Sequence, residues 1–151
     1  MTPIRRLDHV AVVVRDTNRA LEYFRDRLGL VVVHSEELKS PRVKLTYLDT
    51  GNAYVQLVEP LDPEHELARW LNVNGEGVHH VCFGVDDVPL TAAELASAGA
   101  PPVSLANGRG RSSAFVPGRI SHGFRIECTE FRLEEDVHAV SGWLPPTEKV
   151  G

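Results

Sequence analysis

Asp8-His9-Val10-Ala11-Val12-Val13-Val14-Arg15-Asp16 and His79-His80-Val81-Cys82-Phe83-Gly84-Val85-Asp86-Asp87 share one pattern: a histidine, a short apolar run and an acidic turn. His9 and His80 lie 71 positions apart, and Asp16 and Asp87 repeat that offset. Short runs rich in β-branched residues and closed by turn residues read as β-strands. A helical pattern follows each. In Asn18 to Gly29, Leu21, Phe24 and Leu28 fall on one face and Gly29 supplies a stop, while Thr91 to Gly99 likewise ends on glycine. Gln56 and Glu127 also stand 71 positions apart, each a polar residue in an apolar strand pattern. A duplicated module building one shared site accounts for all three pairs.

Further strands complete each module. Leu30 to His34 and the alternating Val43 to Leu48 precede Asp49-Thr50-Gly51-Asn52, whose Gly and Asn accept the positive φ of a hairpin turn, and Ala53 to Glu59 forms the returning strand up to Pro60. In the second module, Pro101-Pro102-Val103 enters a strand. A glycine-rich turn, Asn107 to Ser113, leads to the short strand Ala114 to Val116, and a second turn, Pro117 to Gly123, leads to Phe124 to Thr129. The expected architecture is α+β: one domain over residues 1–151, with two βαβββ modules forming a curved mixed sheet around a central metal site. Module 1 spans about 6–61, a linker helix about 62–76, module 2 about 77–131 and a tail 132–151, in which Trp143 is an anchor candidate.

Composition narrows the function. With 151 residues and 42% hydrophobic content, the chain is long enough to bury a core. A net charge of −5 with no sustained basic patch points to a small-molecule partner and away from nucleic acid. No apolar stretch approaches the roughly 20 residues of a membrane span, and no secretory signal is apparent, so the expectation is a cytoplasmic protein without membrane association. Cys82 and Cys128 are expected to stay reduced, and no Cys-His zinc spacing occurs.

Side chains alternate faces along a strand, so His9 shares a face with Ala11 and Val13, and Gln56 with Tyr54 and Val58. Packed by pseudo-twofold symmetry, the modules bring His9, Gln56, His80 and Glu127 together. Two imidazoles, an amide oxygen and a carboxylate suit a divalent first-row ion that keeps positions open for substrate. Counting from the acidic turns selects His80 over His79, which is assigned to the opposite face. Each residue also has a plain structural reading, as a hydrogen-bonded buried polar group or, for Glu127, a partner of Arg125 or Arg132. One coordination site compensates all four at once.

These segments resemble the vicinal oxygen chelate (glyoxalase/bleomycin resistance/dioxygenase) superfamily, and within it the methylmalonyl-CoA epimerase branch. The resemblance covers about residues 7–130 and is carried by Leu7 to Val12, Tyr23 to Leu30, Val55 to Pro63, Gly75 to Val81 and Gly123 to Glu127. It implies paired βαβββ modules and a metal held by His9, Gln56, His80 and Glu127. It also implies a divalent cofactor (Co, Mn, Ni, Zn or Mg), an acyl-CoA as small-molecule partner and a homodimer. The implied activity is that of a metal-dependent epimerase or isomerase that removes a proton α to a carbonyl, with Glu127 as catalytic base. Arg111, Arg119 and His122 are the expected substrate contacts. Glyoxalase I relatives carry glutamate where this chain has Gln56, and a second glutamate found on the third strand of some epimerases aligns with Leu45. Glu36 and Glu37, in the loop expected before that strand, are the carboxylates placed to reach in there. Alternatives are an epimerase of another hydroxy-ketone or polyketide intermediate, a lactoylglutathione lyase-like enzyme and a non-catalytic drug-binding protein. Ring-cleaving dioxygenases use two histidines and a glutamate, and Gln56 speaks against them.

Overall fold

In a computed structural model, the described residues are 4–95, 103–106, 108–116 and 121–139, with side chains of 103–106 and 137–139 left aside. The first module runs β1 (Ile4–Val13), α1 (Thr17–Phe24), β2 (Val31–Leu38), β3 (Val43–Asp49) and β4 (Tyr54–Pro60). Helix α2 (Glu66–Asn74) links it to β5 (Gly77–Val85), α3 (Val88–Leu95), β6 (Val103–Ala106), β7 (Ser112–Val116) and β8 (Ile126–Glu130), and α4 (Leu133–Ala139) follows. The βαβββ order therefore occurs twice.

All eight strands join one curved sheet in the order β2-β3-β4-β1-β5-β8-β7-β6. Within each module the first strand pairs in parallel with the last, β1 with β4 and β5 with β8, and the modules meet through antiparallel β1 and β5. That junction puts the four strands bearing His9, Gln56, His80 and Glu127 side by side at the sheet's centre.

The sheet has two differently used faces. On the outer face, Val14, Leu48 and Leu57 pack with Leu21 of α1, while Val85, Ala114 and Cys128 pack with Val88 and Ala92 of α3. Asp16 caps α1 by accepting from the Arg19 backbone N–H, and the following turn ends at Gly29 with φ of 77°. Leu48 and Leu57 are fully buried, and each contributes roughly 1.5–3 kcal/mol of apolar transfer free energy. On the inner face, Ala11, Val13, Val43, Leu45, Tyr47, Tyr54 and Val58 form a second cluster, covered at one end by Leu67, Trp70 and Leu71 of α2.

Three expectations change. Glu36 and Glu37 belong to a strand rather than a loop, because β2 continues to Leu38, paired with β3. Helix α3 starts at Val88, before the anticipated Thr91. The expected tail contains α4, docked by Asp136, whose carboxylate binds Arg111, the Arg132 backbone N–H and the Tyr54 hydroxyl. Gly99, Pro101, Pro102, the turn from Pro117 to Arg119, and Trp143 lie outside the described residues. No described helix is long and apolar enough to cross a membrane.

Candidate metal centre

His9, Gln56, His80 and Glu127 are all buried, and the alternation expected of β1 and β4 is observed, since Ala11, Val13, Tyr54 and Val58 share the inner cluster. His9 Nε2 lies 3.7 Å from one Glu127 oxygen and His80 Nε2 3.5 Å from the other. Potential ligand atoms of these three residues lie within 4.8 Å of one another. Nitrogen and oxygen donors bound about 2.0–2.2 Å from one ion stand roughly 3–3.5 Å apart, so the cluster needs little contraction to share one.

Neither His9 Nε2 nor His80 Nε2 has a hydrogen-bond partner among the described residues. A buried polar atom left unpaired costs about 1–3 kcal/mol, and here two such atoms face one carboxylate. The donor set and these two lone-pair positions fit a divalent ion. Gln56 Nε2 donates to the Tyr47 hydroxyl at 2.8 Å, which leaves the amide oxygen as its potential ligand atom.

Behind each histidine stands its preceding residue. The β1–β5 ladder passes from Leu7↔Phe83 to His9↔Cys82, so Asp8 is an extra residue, and from Ala11↔His80 to Val12↔Val78, so His79 is another. Such bulges re-aim side chains. Asp8 Oδ2 consequently lies 2.6 Å from His9 Nδ1, and His79 Nδ1 lies 2.9 Å from His80 Nδ1. Asp8 and His79 are themselves 71 positions apart. His79 is thus not on the opposite face: it packs edge-on against Trp70, whose neighbours belong to the inner cluster. The bond to Asp8 holds the proton of His9 on Nδ1 and leaves Nε2 as the lone-pair donor.

Charge follows burial. Burial pushes Glu127 above the usual carboxylate range, opposed by His9 and by the Cys82 thiol. His80 is held well below the usual imidazole value by burial and then by neighbouring positive charge, and His79 is lowered to about 4 by burial and Arg125. For Asp8, burial acts upward, but His9 and Arg109 outweigh it and hold the carboxyl well below its ordinary value. Cys82 is buried on the inner face and stands with Asp8 and His9 in a second group of ligand-capable atoms, but burial and the adjacent Glu127 push its thiol well up. Both cysteines are free.

The expected substrate contacts fare differently. Arg111 is buried; its guanidinium binds Asp136, Glu135 and the Glu130 carbonyl and so anchors α4, and it also lines the cavity described below. His122 is exposed in a turn at φ of 60°, and Arg119 lies outside the described residues. Sequence reasoning passed over Arg109. Its turn, Gly108–Gly110, reaches from the second module to the first, placing the guanidinium on Asp8 at 2.6 Å and over the rings of Tyr47 and Tyr54 at 4.5 and 5.3 Å.

A cavity of about 530 Å³ adjoins the centre, lined in part by His34, Glu36, Tyr47, Tyr54 and Arg109. The candidate ligands do not line it directly. Tyr47, bonded to Gln56, and Arg109, bonded to Asp8, link the cavity lining to the cluster. Glu36 pairs across the strands with Leu45 and therefore faces inward, 3.3 Å from His34, whereas Glu37 binds Arg42.

A family model described as the glyoxalase/bleomycin resistance protein/dioxygenase superfamily matches residues 8–115. The chain belongs to this superfamily. Among relatives of this superfamily member, mouse mitochondrial methylmalonyl-CoA epimerase is 34% identical over 91 residues, 60% of this chain and 51% of the relative. The chain thus matches about half the length of that relative. The ethylmalonyl-CoA/methylmalonyl-CoA epimerase of Cereibacter sphaeroides is 32% identical over 98 residues, 64% of this chain and 73% of the relative. A solved structure of a Streptomyces coelicolor methylmalonyl-CoA epimerase variant in complex with 2-nitronate-propionyl-CoA superposes with a TM-score of 0.79 at 28% identity, covering 85% of this chain and 98% of that one. The superfamily's α+β fold agrees with the sheet described above.

Proposed function

We propose that this protein is a metal-dependent epimerase acting at a carbon acidified by an adjacent carbonyl, with a methylmalonyl-CoA-like thioester as substrate. One observation carries the reading: two buried imidazole nitrogens without hydrogen-bond partners among the described residues converge on a single buried carboxylate. His9, Gln56, His80 and Glu127 would hold the divalent ion, drawn from Co, Mn, Ni, Zn or Mg. Bound there, the ion would stabilise negative charge developing on the substrate carbonyl oxygen.

The chain's own residues supply the proton chemistry. Glu127 is the catalytic base: burial raises its proton affinity, which suits a carboxylate to removing a weakly acidic α-proton. Tyr47 fixes the Gln56 amide, and Asp8 fixes His9. Inversion requires a proton to return from the opposite side. Glu36, facing the cavity beside His34, is the carboxylate assigned to that return. The relatives named for acyl-CoA substrates support an acyl-CoA as partner. A homodimer and a cytoplasmic location belong to the same proposal.

The direct test is α-proton exchange and epimerisation of methylmalonyl-CoA in deuterated water, with metal removed by chelator and then restored. Activity should vanish with the metal and return with it, and Glu127→Gln should lower it by at least a hundredfold, within the range of general-base contributions of about 10²–10⁴. Full epimerisation by metal-replete Glu127→Ala would end this assignment.

A further inference from the structure

We propose that Arg109 is a positioning residue for the metal centre: from the second module, its guanidinium clamps Asp8, and Asp8 in turn aims His9 at the ion. The inference rests on the metal-binding reading above. Arg109 Nη2 lies 2.6 Å and Nη1 3.4 Å from the two Asp8 oxygens, so the contact is two-pronged. The oxygen that takes the shorter of these bonds also takes His9 Nδ1, at 2.6 Å. Guanidinium, carboxylate and imidazole thus form one hydrogen-bonded chain ending at the buried Nε2 of His9.

The chain is shielded from water. Arg109 side-chain exposure is 9%, that of Asp8 is 1% and that of His9 is 0%. The Tyr47 and Tyr54 rings support the planar cation, a role a lysine ammonium on its flexible stem cannot reproduce in full. The turn is built for this placement. Arg109 sits in the left-handed region at φ of 64°, its backbone N–H donates to Glu36, and Gly108 is packed against Tyr47 and Leu45. Arg109 lies in the loop of one module and His9 on the first strand of the other, so ion binding is coupled to the docking of the two modules.

Among the described residues the second histidine has no equivalent clamp. Its backing residue at the same offset is His79, a neutral imidazole donor or acceptor rather than a carboxylate. The two candidate imidazole ligands are therefore held differently, and His9 should dominate the protein's grip on the ion.

Titration of the metal-free chain with Co²⁺, followed by calorimetry and by the visible spectrum of the bound ion, tests the proposal. Arg109→Met should weaken Co²⁺ binding by about 10- to 100-fold, the usual range for partners that orient a ligand, and shift the spectrum. Arg109→Lys should recover part of both. Asp8→Asn with Arg109→Met should bind no worse than Asp8→Asn alone, because both act through one contact. Arg109→Lys keeps the test open if the methionine variant fails to fold, and thermal unfolding without metal checks each variant. Parent-like affinity and spectrum in either Arg109 variant, or losses at Asp8 and Arg109 that multiply, would overturn the inference while leaving the metal centre standing. A parent chain that binds no Co²⁺, or a His9→Ala variant that binds it as well as the parent, would overturn both.

Discussion

Gly108→Ala probes whether the two modules are locked together where the structure places the lock. Gly108 is not in the left-handed region, so alanine meets no backbone penalty there. Its Cβ, however, would lie 2.5 Å from the Tyr47 hydroxyl, 2.7 Å from a Glu36 carboxylate oxygen and 2.7 Å from a Leu45 methyl. All three are closer than real Cβ contacts. Glu36 is a flexible chain end, but its oxygen receives the Arg109 backbone N–H, and Tyr47 is a fully buried ring bonded to Gln56. The turn must lift or Tyr47 must move. Overpacking of this kind costs about 1–3 kcal/mol. For a domain of this size each kcal/mol is worth about 2–4 °C, so the melting temperature of the metal-free protein should fall by about 2–12 °C. Gly77→Ala is the matched control, since its Cβ meets nothing within 4 Å and its φ is not left-handed. Because the strain lands on Tyr47 and on the Arg109 turn, Gly108→Ala should also weaken Co²⁺ binding, which Gly77→Ala should leave alone. Differential scanning calorimetry and the Co²⁺ titration read the two effects. Equal melting temperatures for the two variants would refute the packing argument, and a destabilised Gly108→Ala with parent-like affinity would separate the turn from the centre.

Other outcomes follow from the same geometry. Glu36→Gln should still wash the α-proton of one substrate stereoisomer out into deuterated water while inverting it at least tenfold more slowly; inversion at the parent rate would remove Glu36 from the reaction. His80 is buried and His79 half-buried, and burial lowers the proton affinity of both, so the unfolded chain binds protons that the folded chain resists. Their contribution to stability is complete above the ordinary imidazole value of 6.5 and declines as pH falls toward about 4, the folded value for His79. The metal-free protein should therefore lose melting temperature over that window, and His79→Asn should flatten the decline; an unchanged slope would show that His79 carries no such linkage.

Much of the fold was legible because it rests on short-range periodicity. Alternation along Val10 to Val14 and Tyr54 to Val58, the Gly29 stop and the interval between His9 and His80 are all local or repeated features, and the strands and helix they implied are present. The four candidate ligands were reachable for the same reason, since equal offsets in a duplicated module place them on equivalent strands. The role of Asp8 was within reach too. It shares its offset with His79, but strict alternation sends the neighbour of an inward residue outward, and only a bulge reverses that.

The chain's linear order by itself determined the duplicated α+β module, the superfamily and the candidate ligand set, because strand period and repeat spacing survive without knowledge of long-range contacts. Only the tertiary structure decided what surrounds those ligands. The extra residues in the β1–β5 ladder turned Asp8 and His79 inward, and the β2–β3 register put Glu36 opposite Leu45. Docking of the Gly108–Gly110 turn across the sheet made Arg109 the partner of Asp8, and Asp136 drew Arg111 into the anchoring of α4. Each of these depends on where distant segments meet, and a bulge, a one-residue register or a docked turn leaves no periodic trace in the sequence.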